Sequence, residues 1–291
     1  MEVAQLLLAG IAGGCVYGLV ALGFVLIYKA TESVNFAQGD LMMLGAFFTV
    51  QFVNSAYWGM NFWVGIGLAI LVMALIGYLM EALIIRKLFG QPQFAVVILT
   101  IAIGFVLRFV AGFIWGHEPI SLETPFAGEN TSFLGLAISI DEIFVIATTI
   151  VLTLGLYIFF ARTRLGMAMQ ASSQNQLAAY YMGVPVKRIH GLIWAISGGI
   201  ATIAGVLFAS RSSIDPNLGL LGIKAFAAAV IGGFGSLPGA LAGGLIVGIV
   251  EPFSGRYLPA GYSQIMPYAI MLVVLVMRPN GLFAQVQSKK V

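Results

Sequence analysis

The sequence predicts an all-α integral membrane protein, a polytopic bundle of about eight transmembrane helices with one or two of them broken or re-entrant. Three observations carry that prediction. First, 60% of the residues are hydrophobic and only 9% are charged. A soluble domain has about 25% charged residues, so this chain cannot cover a globule with polar surface. Second, the apolar stretches are long and continuous, whereas barrel strands would alternate over about 10 residues. Third, residues 224–251 read KAFAAAVIGGFGSLPGALAGGLIVGIVE, two short apolar runs around the break GGFGSLPG. Each run is shorter than the about 20 residues a crossing takes.

The first span covers residues 5–28 and ends at Lys29. The polar knot KATESVNFAQGD follows, and a second apolar run continues over 41–53. A third covers 62–85 and stops at Arg86 and Lys87, and a fourth covers 94–115. Residues 117–142 then form a polar loop with Glu118, Glu123, Glu129, Asp141 and Glu142 and no Lys or Arg. A fifth span, 143–160, stops at Arg162 and Arg164, and a sixth, 189–208, follows Lys187 and Arg188. After the interrupted stretch, a last span over 263–277 is closed by Arg278 and Pro279. The whole chain, 1–291, reads as one transmembrane domain.

Within the interrupted stretch Gly235, Gly239 and Gly243 fall four apart, as do Gly244 and Gly248, so a neighbouring backbone can approach closely. Pro238 lacks an N–H and Gly235 tolerates unusual backbone angles, so we place the interruption there, with Ser236 beside it. A broken helix in hydrocarbon survives only where protein or a water-filled cavity satisfies the freed backbone groups. The knot NFAQGDLMMLGAFF has a similar layout, polar and glycine residues between two apolar halves. Paired breaks of this kind suggest an internal duplication with a transport pathway at its interface.

Basic residues set the orientation. Lys29, Arg86, Lys87, Arg162, Arg164, Lys187, Arg188, Arg278, Lys289 and Lys290 share one side if the N-terminus lies outside, with Arg211, Lys224 and Arg256 opposite and Arg108 within a span. The acidic loop then faces outward and the C-terminus inward.

Asn35, Gln38 and Asp40 lie at the first break. An Asp inside a bundle is costly unless it faces a cavity or a partner. We read Asp40 first as the cap of a helix starting at Leu41, a role compatible with lining a pathway. Arg108, deep in FVLRFV, needs a carboxylate, carbonyls or water, and reads as a buried strut or a snorkelling anchor. Glu81 can pair locally with Arg86 or snorkel, and no role is assigned to it. His117 and His190 sit at opposite ends of spans, so they cannot share a metal, and no metal site is expected. Cys15 is the single cysteine. None of the six lysines follows a glycine, so no phosphate-binding P-loop exists and the chain itself binds no nucleotide cofactor. No catalytic cluster is present, and an enzyme is not expected.

The inner loop, 162–188, contains no acid and divides into two helix-prone pieces, LGMAMQA and LAAYYMG, around SSQNQ. Ala178, Ala179 and Gly183 make the second piece slim, and Tyr180, Tyr181 and Met182 are adaptable contact groups.

AAYYMG resembles the Ala-Ala-x-x-x-Gly core of the coupling loop of bacterial ABC importer permeases, with Leu177 where a glutamate often stands. ALGFVLIYKATESVNFAQGDLMMLGAF, AFAAAVIGGFGSLPGALAGGLIVGIVE and the tail RPNGLF are together similar to the permeases of branched-chain amino acid importers. The resemblance spans nearly the whole chain. It implies a subunit of the bacterial cytoplasmic membrane that pairs with a second permease and two ATP-binding cassette subunits, fed by an extracytoplasmic binding protein. Residues 177–183 would receive the push, ATP being hydrolysed by the partners. Asn35, Gln38, Asp40, Gly235, Ser236, Pro238 and Gly239 would shape the passage. Urea and short-chain amide importers use similar permeases, and a self-sufficient secondary transporter or channel is the reading of another class.

Overall fold

In the computed structural model, residues 2–88, 91–126, 128–133 and 136–283 are described. Every predicted apolar stretch is helical. The helices are α1 (Glu2–Thr31), α2 (Gln38–Val53), α3 (Phe62–Leu83), α4 (Gln93–Trp115), α5 (Ile140–Arg162), α6 (Arg164–Gln174), α7 (Gln176–Tyr181), α8 (Val186–Ala209), α9 (Leu221–Gly232), α10 (Leu237–Tyr257) and α11 (Tyr262–Met277). Six of these are long and apolar enough to cross a membrane: α1, α3, α4, α5, α8 and α10. The outer loop carries one two-stranded hairpin, β1 (Asn130–Phe133) against β2 (Leu136–Ser139). The fold is an all-α polytopic bundle.

α1 and α8 form its centre, and glycine is the reason neighbours can reach them. A Cβ on Gly248 of α10 would stand 2.2 Å from the Gly14 Cα of α1, and one on Gly244 would stand 2.4 Å from the Gly18 Cα. On α8 the same role falls to Gly198, whose added Cβ would meet the Met73 carbonyl of α3 at 2.6 Å. These helices meet backbone to backbone, as packing in lipid favours.

The packing pattern survives exchanging α1–α4 for α8–α11. α1 packs on α10 as α8 packs on α3; α1 meets α9 as α8 meets α2; α2 holds α3 and α4 as α9 holds α10 and α11. This alters the expected pairing of the breaks. The connection between α1 and α2 corresponds to residues 210–220 between α8 and α9, and the break between α9 and α10 corresponds to the turn between α2 and α3. Local chemistry agrees. Asn35 Oδ1 accepts the Ala37 N–H (3.1 Å), and Asp215 Oδ1 accepts the Asn217 N–H (2.6 Å). Each is followed four residues later by a glycine, Gly39 and Gly219, and a Cβ on Gly39 would lie 2.2 Å from the Gly219 carbonyl oxygen.

The interruption of 224–251 is real, but its hinge is Gly233 rather than Gly235 or Pro238. Gly233 takes φ 97°, which a side chain would strain, and ends α9. Ser236 caps α10, its Oγ accepting the Gly239 N–H (3.1 Å). Pro238 then sits in the first turn, where a missing N–H costs nothing. Gly235 lies between the helices with open space around its Cα. With 12 residues α9 rises about 18 Å, roughly a half-span, while α10 with 21 rises about 31 Å. The freed carbonyls at the end of α9 are satisfied by the tail RPNGLF: Leu282 N–H donates to Ile231 O (2.9 Å) and Phe283 N–H to Gly232 O (3.1 Å). Gly281, at φ 86°, lets the tail approach Gly233.

In the inner loop Thr163 caps α6 through the Gly166 N–H (3.0 Å), and Asn175 caps α7 through the Ala178 N–H (2.9 Å). The acidic outer loop is tied down at Glu123, which accepts the Ser55 N–H (3.0 Å) and hydroxyl (2.8 Å), and at Asn54, which receives the Glu123 N–H (3.0 Å). Arg211, just past the C-terminal end of α8, approaches Glu142 to 3.6 Å.

Two outcomes follow. Gly248→Ala should destabilise the bundle at or above the upper end of the about 1–3 kcal/mol typical of overpacking, because backbone on both sides cannot yield. Gly155→Ala, where nothing lies within 4 Å, should stabilise α5 by up to about 1 kcal/mol; thermal unfolding in detergent reads both. The two Ser55 hydrogen bonds hold the Glu123 carboxyl below its usual pKa. That contact therefore contributes at neutral pH and is lost as pH falls through the lowered value. Ser55→Ala removes the hydroxyl bond and keeps the N–H bond, so it should return the Glu123 titration, followed by NMR, only part of the way to the ordinary carboxylate range.

Candidate translocation site

At the first break the chain leaves α1 through Glu32, a non-glycine residue at φ 53°, and turns at Asn35 into α2. Asn35, Gln38 and Asp40 are all fully or nearly fully buried. Gln38 is the hub: its Oε1 lies 3.0 Å from the Ser197 hydroxyl of α8 and 3.4 Å from Asn35 Nδ2, and its Nε2 donates to Ser197 O at 3.5 Å. The Ser197 hydroxyl also lies 3.2 Å from the Gly23 carbonyl of α1. Only glycine fits at position 23, since a Cβ would overlap Gln38 Nε2. The Phe36 N–H donates to Thr100 Oγ1 of α4 (3.1 Å).

Asp40 is not the helix cap expected of it. α2 starts at Gln38, with Ala37 at the cap position and no side-chain cap bond, so Asp40 already points off the first turn. Its carboxylate takes Arg108 of α4, Nε to Oδ1 at 2.6 Å and Nη2 to Oδ2 at 3.4 Å. The expected partner of Arg108 is thus identified, and the strut joins α2 to α4 beside Gly219. Phe105 places its ring 5.5 Å from the guanidinium carbon. Glu81, wholly buried, pairs with Arg86 (2.5 Å) as expected, and Arg86 also reaches the Lys187 carbonyl (3.0 Å).

Second-break residues are more open. Gly239 is buried against Gly232, Ser236 is half-buried, and Gly235 and Pro238 are exposed. What brings the breaks together is a run of rings that sequence reasoning missed. Phe36 stands 5.1 Å from Phe226 of α9, Phe226 stands 5.6 Å from Phe234 in the second break, and Phe234 stands 5.0 Å from Tyr28 at the end of α1. The signal was present as aromatics flanking both breaks.

In the 162–188 loop, Tyr180, Tyr181 and Met182 project from the end of α7, the last two more than four-fifths exposed. Ala178 is exposed, Ala179 is buried beneath them, and Gly183 closes the turn at φ 83°. The side chain of Leu177 lies outside the described ones. Behind this arm a cavity of about 40 Å³ lies between α6 (Met169, Ser173), α1 (Lys29), α5 (Phe160), α8 (Ile193) and Leu237, the first residue of α10. Among the described residues, no group of three His, Cys, Asp or Glu could hold a metal.

A helical bundle built from two exchanged halves, with interrupted helices meeting inside it, defines a multi-pass membrane permease. The family model described as branched-chain amino acid transport system / permease component matches residues 6–275, and the chain belongs to that family. It is 29% identical to the high-affinity branched-chain amino acid transport system permease protein BraD of Pseudomonas aeruginosa, over 99% of this chain and 97% of that one. It is 28% identical to the corresponding permease protein LivH of Escherichia coli K12, with the same coverage. A probable branched-chain amino acid transport permease protein of Methanocaldococcus jannaschii is 30% identical over 91% of this chain and 87% of its own.

The Asp40–Arg108 pair predicts a specific pattern. Asp40→Ala alone strands a guanidinium and should cost about 3–5 kcal/mol, whereas Asp40→Asn with Arg108→Met should recover most of it. Thermal unfolding of the purified permease checks this; equal losses in both variants would show that the pair is not coupled.

Proposed function

We propose that this chain is a membrane-spanning subunit of an ATP-driven importer for branched-chain, hydrophobic amino acids. It forms the passage with a second, related permease, takes its drive from two separate ATP-binding cassette subunits, and receives cargo from an extracytoplasmic binding protein. The observation that carries this reading is the full-length similarity to permeases of that cargo. The exposed Tyr181 and Met182 on a capped, glycine-closed turn support the coupling role, because adaptable apolar groups facing the water suit a partner groove. The distribution of basic residues supports an N-terminus outside and a C-terminus inside.

The mechanical route is short. A push on α7 passes to α6 through their shared Asn175 junction, and α6 faces Leu237 across the cavity. Closing that space moves the start of α10 at the second break, beside the ring contacts that lead to the first. Cargo with an apolar side chain needs little more than a dry passage with a few polar groups.

Labelled leucine uptake by the complete importer, with urea and a short-chain amide as competitors, tests the cargo. Uptake blocked by leucine and not by urea is expected; the reverse overturns the cargo. Gradient-driven flux through this chain alone in liposomes would overturn the need for ATPases. Replacing Tyr181 and Met182 by Ala should reduce co-purification of ATPase subunits and cut uptake by about tenfold or more, the loss expected for interface hot spots, with unchanged membrane insertion. Wild-type uptake and co-purification would place the coupling surface elsewhere.

A further inference from the structure

The two charges that bound the 224–251 stretch find each other. Lys224 Nζ in the first turn of α9 lies 2.5 Å from Glu251 Oε1 of α10. The other carboxylate oxygen, Oε2, accepts the Tyr17 hydroxyl of α1 at 2.5 Å. Between these two ends the stretch carries no charge. The carboxylate is also open: Glu251 is 24% exposed against 2% for Asp40, while the two cations, Lys224 at 21% and Arg108 at 22%, are alike.

A pair that only clamps α9 to α10 has little energetic reason to be ionic. Desolvating two charges cancels most of their attraction, and well-packed apolar residues hold helices as firmly. Ionisable side chains inside a membrane bundle, by contrast, mark the routes of charged or polar cargo. Apolar Leu220 and Ile223 are exposed beside Lys224, so the site presents unlike charges next to an apolar surface.

We infer that Lys224, Glu251 and Tyr17 form a subsite for the charged end of a zwitterionic α-amino acid, and that the two charges occupy one another when cargo is absent. The inference rests on the amino acid importer reading. A zwitterion carries an ammonium and a carboxylate on one carbon, the same two charges that the pair presents. Entering between them, it sets its ammonium against Glu251 and its carboxylate against Lys224. No charge is left alone at any stage, which is the condition for charge movement in a poorly hydrated bundle. Tyr17 binds the oxygen that Lys224 does not, so the carboxylate keeps its place while the lysine swings to the cargo. An analogue with one charge leaves either Lys224 or Glu251 unmatched and is disfavoured.

The test uses the complete importer, with uptake of labelled leucine and, on the purified complex, direct binding of labelled leucine. Lys224→Met with Glu251→Gln should preserve assembly and the unfolding midpoint while lowering leucine binding at least about tenfold. Exchanging the charges, Lys224→Glu with Glu251→Lys, should recover part of that loss. Tyr17→Phe should raise KM by up to about tenfold with maximal uptake unchanged. In wild type, leucinamide and 4-methylpentanoate should compete poorly; in Glu251→Gln, 4-methylpentanoate should compete as well as leucine does. If the neutral double variant binds and transports leucine like wild type, the pair is a clamp and the inference falls. So it does if analogue preference is unchanged in Glu251→Gln. If wild type takes up no leucine, the importer reading itself fails, a result that does not depend on these variants.

Discussion

The structure depends on one constraint: inside hydrocarbon, no backbone group freed from a helix and no charge can be left without a partner. The chain breaks its helices inside the bundle and must therefore supply partners from elsewhere in the fold. At the first break they are side chains: Asn35 serves the Ala37 N–H, Thr100 serves the Phe36 N–H, and Ser197 holds Gln38. At the second they come mostly from the backbone. The tail satisfies the Ile231 and Gly232 carbonyls, and Ser236 supplies the cap. Charges obey the same rule by pairing: Asp40 with Arg108, Glu81 with Arg86, Lys224 with Glu251.

Close backbone approach makes such sharing possible. Were Gly14, Gly18, Gly244 or Gly248 any larger, α1 and α10 could not touch, and the ends of the 224–251 hairpin could not be served by Tyr17. The exchange pattern then places equivalent breaks and turns back to back. Gly39 meets Gly219 at the seam, each following its own Asx turn. The correspondence between the two halves thus sits at the level of packing and turn chemistry, where residue identity is weak.

That explains what was legible beforehand and what was not. Helical spans are legible because hydropathy reports burial in lipid directly, and the break in 224–251 because glycine and proline punctuate it. Break chemistry was harder. Asp40 beside an apolar run resembles a cap, and only the start of α2 at Gln38, together with Arg108 from 68 residues away, shows it to be half of a strut. Ser197 in ISGG and the rings of Phe36, Phe226 and Phe234 carry no local signature, since their meaning arises from which helices cross. RPNGLF marked resemblance without mechanism until its amides were seen on α9.

The two breaks also differ in what they can do. The first is saturated by fully buried side chains and locked to α4 by a charge pair, so any displacement exposes a polar group or a charge to an apolar surround. The second is half open, hinged on Gly233, capped by a single Ser236 bond and restrained by two tail amides. Beside it lies empty volume reaching α6. Under the proposed coupling, motion entering from α7 would meet a saturated break on one side and a half-open one on the other. On the coupling proposed above, the α9–α10 junction is the element that would move, and the first break the anvil against which it would work.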